Sequence, residues 1–339
     1  MVRTYGGAAI RIGTGSGLLG TNLMKVGLIG AGRNRNGIGE FIGKYLQRHG
    51  ADVVAVVGSR PETANKAAAG LAKYGITAAP HVDLAAMVTA ERPEAVTVAS
   101  PFRTHADYVR ESIDMGLHVL CEKPFIWHDT DDVLGLTDAI LGDGGRLGLT
   151  IAMNSQWPFS LPYYERCCGP VDLDGEMTFY MRLSPIDSGR EMLLDAVPHA
   201  MSVLYSVLGE GEVRNARIVR HPDRMIVEGS YINEGQHCAI TIELIQEAHQ
   251  PREFSFGFND KVVRRVVDME NYDIYFSYKN VTVPVPDPLE LSVCDFIGAV
   301  NRHRKPKIGT DHIRNNMRGL VHIWNAGAES GKGMHESEG

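Results

Sequence analysis

The spacing of apolar residues changes partway along the chain. Up to residue 152, short runs that are apolar throughout, such as 52–57 and 95–99, alternate with segments whose apolar residues recur every three or four positions. Uniformly apolar strands are typical of parallel sheets covered by helices on both faces. This part of the chain therefore predicts a doubly wound α/β domain, with strands at 25–30, 52–58, 95–99, 117–121 and 146–152 and helices at 38–49, 61–74, 81–88, 104–115 and 133–141.

From residue 175 to about 286, polar and apolar residues alternate instead, as they do in 272–278. A period of two predicts antiparallel strands with one buried face. We expect an open, mostly antiparallel sheet flanked by helices, which makes this second part an α+β domain. Its strands are expected at 175–183, 213–219, 225–232, 237–246, 253–259, 262–268 and 271–278, and its helices at 198–208, 288–303 and 310–327.

The first predicted strand leads into a glycine-rich turn. Residues 24–39 read MKVGLIGAGRNRNGIG, and an amphipathic helical run continues from residue 40. Glycines let the backbone approach a pyrophosphate, and a helix N-terminus offers free N–H groups and the positive end of its dipole. The segment therefore predicts a Rossmann-type dinucleotide site with contacts from Gly30, Gly32, Arg33 and Asn34.

Two details complicate this assignment. A strict GxGxxG pattern requires glycine at position 35, where the chain has Arg35, so we expect a turn lengthened over 33–36. Residues 15–20, GSGLLG, match the pattern letter for letter, but no normal strand precedes them and no useful helix follows. Context therefore favours the turn at 30–32.

The predicted domains are 24–148, which binds the dinucleotide, and 149–339, which supplies substrate contacts and an oligomerisation surface. Residues 1–23 are rich in Gly, Thr and Ser, and their short apolar stretch 8–10 is interrupted by Arg11. A signal peptide has a longer continuous apolar region. We expect this leader to be disordered, loosely attached, left over from cloning, or the result of a start assigned too early.

Composition argues against several classes of protein. The chain has 339 residues, enough for two domains, and a net charge of −7. Its pI of about 6.0 does not suit a nucleic-acid binder, which usually has a basic face. No apolar run is long enough to cross a membrane. Five cysteines without CxxC spacing favour reduced thiols in a cytoplasmic protein.

Residues 122–124, Glu-Lys-Pro, follow the predicted strand 117–121 directly. In a doubly wound sheet, ligands lie beyond the carboxyl ends of the strands, so Lys123 can reach a substrate oxygen. The alternative is a surface lysine in an ordinary strand-to-helix turn.

A second group of polar residues, Asp195-Ala-Val-Pro-His199, precedes a predicted helix. Pro198 suits a first helical turn, which places His199 at the helix start and Asp195 in the preceding loop. Asp195 can then orient His199, and histidine is well suited to proton transfer near neutral pH. The alternatives are a capped helix with a partly exposed histidine, or a metal site. We predict no metal, because no third ligand and no HExxH motif is evident.

Together, the glycine turn, residues 122–124 and residues 195–199 resemble the Gfo/Idh/MocA family of NAD(P)-dependent oxidoreductases. The resemblance runs from Met24 to about Trp324. It includes 97–101 (TVASP), 105–106 and, as its most diagnostic segment, 116–124 (GLHVLCEKP). It implies that Lys123 lies near the nicotinamide and the reacting carbon, and that further cofactor contacts come from Ser100, His105 and, at the nicotinamide ribose, Glu122.

By the same resemblance, Asp195 and His199 face the substrate, and His199 donates or accepts the proton. The family pattern is nearer Asp-x-Gly-x-His, whereas Val197 stands in place of the glycine, and Ser202 stands where a later carboxylate is usual. These departures indicate an altered substrate pocket. Further candidates for that pocket, just past a predicted strand end, are Gln156 and Trp157.

Cofactor choice depends on the residues after the second strand. An NAD-preferring site places an acid there for the ribose 2′-hydroxyl, but the chain has Gly58-Ser59-Arg60. A hydroxyl followed by arginine favours a 2′-phosphate, so we expect NADP(H) to be preferred, with NAD(H) as the possible second cofactor. The alternative is that Arg60 points to solvent ahead of the helix at 61.

The sequence therefore predicts a dehydrogenase that transfers a hydride between the nicotinamide and a secondary alcohol or ketone of a sugar, polyol, inositol or related cyclic compound, with His199 or Lys123 moving the proton. The alternatives are an imine or conjugated-bond reductase on the same fold, and a non-catalytic dinucleotide sensor, against which Lys123, Asp195 and His199 argue. We expect a homodimer or homotetramer formed through strands 237–246 and 271–278, because the second domain has too few helices to cover its sheet.

Overall fold

A computed structural model describes residues 23–32, 38–128 and 132–329 of the protein. Residues 1–22 of the predicted leader and the lengthened turn with Arg33 and Asn34 lie outside these ranges. The predictions made for those residues therefore stay predictions.

The first sheet consists of short, buried, parallel strands with helices on both faces. Its strands are β1 (Met24–Ile29), β2 (Ala51–Val57), β3 (Ala79–His81), β4 (Ala95–Val98), β5 (His118–Glu122) and β6 (Ile151–Asn154), in the spatial order β3-β2-β1-β4-β5-β6. The helices that alternate with them are α1 (Ile38–Arg48), α2 (Pro61–Ala72), α3 (Leu84–Glu91), α4 (His105–Asp114) and α5 (Val133–Arg146). This order confirms the predicted doubly wound Rossmann domain.

The strand order reverses between β1 and β4 at the centre of this sheet. In doubly wound sheets, ligands bind in the crevice that opens at the carboxyl ends of the strands at such a point. Gly30 directly follows β1, and Ser100 lies two residues past β4. The Ala99 N–H donates to the Ile29 carbonyl at 2.8 Å, which holds the two segments together.

The second sheet has eight strands. All neighbouring strands are antiparallel except one pair, 177–183 with 236–245, which is parallel. The strands are β7 (Met177–Leu183), β8 (Glu212–Arg220), β9 (Arg224–Asn233), β10 (Gln236–Ile245), β11 (Ser255–Phe258), β12 (Lys261–Asp268), β13 (Asp273–Tyr278) and β14 (Val281–Val285), in the order β14-β13-β12-β11-β7-β10-β9-β8. The helices of this part are α6 (Leu161–Cys168), α7 (Met192–Leu208), α8 (Pro288–Asn301) and α9 (Thr310–Glu329). The predicted mostly antiparallel sheet with flanking helices is confirmed.

One face of the second sheet is apolar and packs against helices. In β10, Cys238, Ile240 and Ile242 are buried, whereas the intervening Ala239 is exposed and Thr241 half-buried. This alternation places one set of side chains towards helices such as α7 and the other set on the outer face, as the period of two predicts.

Helix α8 packs against the first sheet's helices although it comes late in the chain. Its Val293 and Phe296 share a core with Leu46 of α1. The Tyr45 hydroxyl of α1 donates to the carboxylate of Asp287, which caps α8, at 2.6 Å. The domain boundary between residues 148 and 149 stays a prediction. Helix α8 comes after this boundary in the sequence but packs against the first domain.

Three elements, one helix start and one strand start differ from the sequence predictions. Strand β6 begins at Ile151 rather than at residue 146, because α5 continues to Arg146. Strands β3 and β14 and helix α6 are absent from those predictions. Helix α7 begins at Met192 rather than at Pro198, and Asp195 lies inside the helix rather than in a loop before it. The buried apolar residues of α7 explain the difference, because their burial outweighs the cost of an internal proline, about 3 kcal/mol.

Candidate active site

A cavity of about 250 Å³ lies where the carboxyl ends of β5 and β6 meet α7. Its wall contains side chains from both parts of the chain. Six residues that the sequence proposes for catalysis or binding line it, namely Glu122, Lys123, Gln156, Trp157, Asp195 and His199. The fold therefore brings these residues together from three separate segments of the sequence.

Lys123 and Asp195 are in direct contact in this cavity. The Lys123 ammonium donates to the backbone carbonyl of Asp195 at 2.7 Å and forms an ion pair with its carboxylate. The other carboxylate oxygen accepts from the backbone N–H of Ile186 at 2.9 Å. Burial alone raises the pKa of Asp195, but the Lys123 charge and these hydrogen bonds hold that pKa below its ordinary value. Asp195 is therefore an anion that fixes the position of the lysine.

His199 lies one helical turn after Asp195, on the same face of α7. Its side chain is buried, and its Nδ1 lies 3.3 Å from the Ser155 hydroxyl. Burial lowers the pKa of His199 well below its usual value, and the nearby Lys123 ammonium lowers it further, although Asp195 opposes this. The imidazole is therefore neutral at pH 7 and has a lone pair with which to accept a proton.

The glycine turn after β1 has no room for side chains. Gly30 has φ +85°, and a Cβ built on it would lie 2.5 Å from the backbone of Ser100. A Cβ on Gly32 would lie 2.7 Å from the Thr63 carbonyl. Only glycine therefore fits at these two positions, and the tightly packed turn lies just ahead of the N-terminus of α1, where doubly wound folds hold a dinucleotide pyrophosphate.

His105 joins two segments that the sequence assigns to the cofactor and to catalysis. It is buried, and its ring nitrogens lie 2.8 Å from the Pro124 carbonyl and 2.9 Å from the Ser100 carbonyl. The Ser100 hydroxyl in turn accepts from the Thr104 hydroxyl at 2.7 Å. His105 therefore ties the turn after β4 to the turn that carries Lys123. Direct contact of His105 or Ser100 with a cofactor stays a prediction.

Ser59 and Arg60 are exposed at the carboxyl end of β2. The backbone of Arg60 starts α2, because its N–H donates to the Thr63 hydroxyl at 3.1 Å and its carbonyl accepts from that hydroxyl at 2.8 Å. The exposed side chains leave the edge of the crevice open to a ligand. Of the other predicted cofactor contacts, Arg33 and Asn34 lie outside the described residues.

Several residues of the cavity wall were not predicted from the sequence. Asn154 ends β6 just as Glu122 ends β5, and this repeated position was a usable signal. The Asn154 side-chain amide donates to the Glu122 carboxylate. Phe254 stacks on Trp157 with ring centroids 3.6 Å apart. The remaining unpredicted cations are Arg252 and Arg265, which no local motif marks.

Other kinds of site find no support in the part of the chain that the structure describes. Residues 23–32, 38–128 and 132–329 contain no cluster of three or more His, Cys, Asp or Glu side chains arranged to hold a metal ion. All five cysteines fall within these ranges and are free. Among the described helices, none combines the length and the apolar character that crossing a bilayer requires.

Comparison with known proteins identifies the first domain. Residues 24–139 match the model of the Gfo/Idh/MocA oxidoreductase family, described by its NAD-binding Rossmann fold. The N-terminal domain belongs to the Gfo/Idh/MocA family. The resemblance inferred from the glycine turn and from residues 116–124 is thereby confirmed.

Curated relatives match about a third of the chain. D-glucoside 3-dehydrogenase of Escherichia coli is 36% identical over 101 residues, which are 30% of this chain and 27% of that protein. Inositol 2-dehydrogenase 4 of Saccharopolyspora erythraea is 33% identical over 124 residues, which are 37% of this chain and 35% of that protein. The matches thus span about a third of each relative's length.

Solved structures match nearly the whole fold. A UDP-N-acetylglucosamine 3-dehydrogenase from Acidithiobacillus ferrooxidans superposes with a TM-score of 0.68 at 18% identity, over 90% of this chain and 98% of that one. A levoglucosan dehydrogenase, solved with NADH and levoglucosan, gives a TM-score of 0.67 at 14% identity over 91% and 97%. At these identities, the likeness shows a shared two-sheet fold.

Proposed function

We propose that the protein is an NADP(H)-dependent dehydrogenase that transfers a hydride between the nicotinamide and a secondary alcohol or ketone of a sugar, polyol, inositol or related cyclic compound. The observation that carries this proposal is the meeting of Lys123, Asp195 and His199 in one cavity at the carboxyl edge of the Rossmann sheet. The names of the relatives, which are dehydrogenases of glucosides and inositol, support the substrate class.

The dinucleotide would be held by the backbone at Gly30 and Gly32, by the N-terminus of α1 and by residues near Ser100. When bound, it supplies the hydride acceptor or donor. Ser59 and Arg60, exposed after β2, support a contact with a ribose 2′-phosphate, since arginine pairs well with phosphate and no carboxylate follows the strand. NADP(H) is therefore the preferred cofactor, with NAD(H) second.

The chain's own residues supply proton transfer and charge stabilisation. Neutral His199 accepts the proton of the substrate hydroxyl during oxidation and returns it during reduction. The Lys123 ammonium, fixed by Asp195, donates a hydrogen bond to the same oxygen and stabilises the negative charge that develops there. Glu122, beside Lys123, would contact the nicotinamide ribose of a bound cofactor, and Gln156 and Trp157 would form part of the sugar pocket.

Assembly and location complete the proposal. The outer face of the second sheet, opposite the helices, packs against another copy to give a homodimer or homotetramer. The protein works in the cytoplasm, where its five free cysteines stay reduced.

The proposed function is tested by following absorbance of the reduced nicotinamide. The purified protein is mixed with NADP⁺ or NAD⁺ and a panel of sugars, polyols and inositols, and with NADPH and the matching ketones and diketones. We expect cofactor reduction by at least one cyclic polyol or sugar. A protein that binds NADPH but consumes none with any of these compounds is a sensor. One that reduces only imines or conjugated bonds has the alternative activity.

A further inference from the structure

Two arginines of the second sheet reach the same cavity as Lys123 and His199. Arg265 lies on β12, and Arg252 lies three residues before β11. Both side chains are half-buried, so they are neither ordinary surface cations nor sealed in the core. Neither residue is needed by the hydride and proton transfer described above. Their presence in the wall needs a separate explanation.

The other charged side chains of the cavity wall have partners of their own. Lys123 pairs with Asp195, Glu122 accepts a hydrogen bond from Asn154, and Glu253 pairs with Arg182 at 2.9 Å. Within the described ranges, no carboxylate lies within ion-pair distance of Arg252 or Arg265. The wall therefore carries two positive charges that have no direct counter-ion.

The hydrogen-bonding capacity of the two guanidinium groups is also largely unused. Arg265 donates to the Arg252 carbonyl at 2.7 Å, and Arg252 donates to the Ser184 carbonyl at 3.4 Å. Each guanidinium has five N–H donors, and the Nε atom of each is buried without a hydrogen-bond partner among the described residues. Buried donors are normally satisfied, which indicates that a ligand with several acceptor oxygens completes this group.

Trp157 lies close both to His199, at the reacting end of the cavity, and to Arg265. Its ring centroid is 6.5 Å from that of His199 and 5.7 Å from the Cζ of Arg265. Phe254, stacked on Trp157, is likewise 5.7 Å from this Cζ. One aromatic side chain thus links the proposed proton acceptor to the guanidinium. A single sugar unit with a charged substituent can span such a distance.

We propose that the substrate is an anionic sugar derivative whose carboxylate or phosphate group binds Arg252 and Arg265 while its ring carbon faces Lys123 and His199. This inference rests on the proposed dehydrogenase function and narrows its substrate class. Guanidinium groups bind both anions through paired hydrogen bonds, so the shared chemistry is an oxyanion at one end of the sugar.

The test compares matched neutral and anionic sugars. kcat/KM is measured with NADP⁺ for glucose and galactose, for their uronates and for their 6-phosphates. The unmutated enzyme should prefer an anionic member by at least about tenfold, and the uronate and phosphate arms tell the two anions apart. Arg252→Ala and Arg265→Gln should each lower the ratio of anionic to neutral kcat/KM by about 10- to 100-fold. Arg217→Ala, which removes an exposed cation of the same sheet, should leave this ratio unchanged.

Other outcomes separate the inference from the proposed function. Oxidation of neutral sugars without preference for their anionic counterparts overturns the inference and leaves the dehydrogenase in place. If no sugar is oxidised, the anion site is tested by calorimetry of glucuronate and glucose 6-phosphate with the enzyme–NADP⁺ complex. Binding that is lost in Arg265→Gln, in a variant whose circular dichroism is native, supports the anion site, and no binding overturns it. An equal loss of NADPH affinity in both variants would show that the arginines hold the cofactor instead.

Discussion

Lys123 and Asp195, which are 72 positions apart in the sequence, form an ion pair at the meeting point of the two sheets. Lys123 follows the last residue of β5, and Asp195 lies in the first turn of α7, where the helix dipole also favours a carboxylate. Both side chains are largely buried, so water does little to weaken their attraction. The pair aims an ammonium group into the cavity beside His199.

Replacing members of this set should reduce turnover. Lys123→Met removes the ammonium while keeping the length of the side chain, and His199→Asn removes the titrating group while keeping polarity. Each should lower kcat by about 10²–10⁴, the usual range for a lost acid–base group. NADPH affinity should change far less, because we propose that the backbone at Gly30 and Gly32 holds the pyrophosphate. Steady-state kinetics and fluorescence titration with NADPH measure the two effects.

The control for Lys123→Met is Lys73→Met, since Lys73 is an exposed lysine paired with Glu40. It should keep full activity. The double variant of Lys123 and His199 should lose less than the product of the two single losses if the residues act as one unit. Full turnover by His199→Asn on the true substrate would show that the histidine is an ordinary residue of a buried helix.

Ser155 is expected to position His199. Its hydroxyl lies 3.3 Å from Nδ1 and 3.5 Å from the Pro198 carbonyl, so it can accept the Nδ1 proton while donating to the carbonyl. Nε2 is then the proton acceptor. Ser155→Ala should lower kcat about three- to tenfold with little change in KM, and Ser155→Thr should restore part of the loss. Ser112→Ala, which removes a buried serine of α4, is the control. A loss confined to KM would contradict a positioning role.

Arg60 is expected to set cofactor preference. A charge-assisted contact with a 2′-phosphate contributes about 1.5–3 kcal/mol, or one to two decades in affinity. Arg60→Ala should remove most of the difference in affinity between NADPH and NADH and leave NADH binding nearly unchanged, as measured by calorimetry. Arg48→Ala, at an exposed residue of α1, should keep this difference. Equal affinities of the unmutated protein for both cofactors would refute the assignment.

The outer face of the second sheet is expected to form the contact between copies. Light scattering at micromolar concentration should give at least twice the chain mass of 37.1 kDa. Thr241 lies between the buried Ile240 and Ile242 of β10 and so faces outward, and Thr241→Arg should weaken assembly by placing like charges together across the contact. Thr89→Arg on α3 should not. A mass of about 37 kDa for the unmutated protein would exclude this arrangement.

His312 should make the protein sensitive to acid. It is buried against the Tyr205 ring, with centroids 4.3 Å apart. Burial, with the nearby Lys307 charge, lowers its pKa from 6.5 to about 3. The unfolded chain therefore takes up a proton that the folded chain does not. Above pH 6.5 the imidazole is neutral in both states and does not change the free energy of unfolding. As pH falls from 6.5 towards 3, the free energy of unfolding decreases by up to about 1.4 kcal/mol per pH unit.

His312→Gln should flatten the dependence of unfolding free energy on pH by about one proton between pH 6 and 4, measured by denaturant titration. His221→Gln, at an exposed histidine, should leave the slope as it is. An unchanged slope in His312→Gln would mean that this imidazole titrates alike in the folded and unfolded chain.

The sequence was informative where one local pattern matched one structure. Uniformly apolar runs located β1, β2, β4 and β5 among the parallel strands, and the alternating runs located most of the second sheet. It failed where the pattern was locally ambiguous. Pro284 argues against a strand in the sequence, so β14 was not predicted. The sheet tolerates this proline because β14 is an edge strand, which needs fewer ladder hydrogen bonds. Pro198 suggested a helix start, but it lies within a helix held by buried apolar contacts.

The candidate site was predictable only in part, for a related reason. Lys123, Gln156 and Trp157 lie just past the ends of predicted strands, and position alone pointed to them. Arg265 comes more than 60 residues after His199, and no motif links the two. Only the pairing of β11 with β7 and with β12 brings Arg265 to the cavity, and that register depends on the whole sheet.

The packing of α8 against α1 also determines when the core of the first domain can be completed during synthesis. A ribosome that has released the first 160 residues has made all six strands of the first sheet but not α8. Until about residue 300 has emerged, the apolar surface of α1 that Val293 and Phe296 cover in the finished protein remains bare. Bare apolar surface on a nascent chain invites aggregation. The core of the first domain is therefore completed only after α8 has been made, although the strands of its sheet are synthesised much earlier.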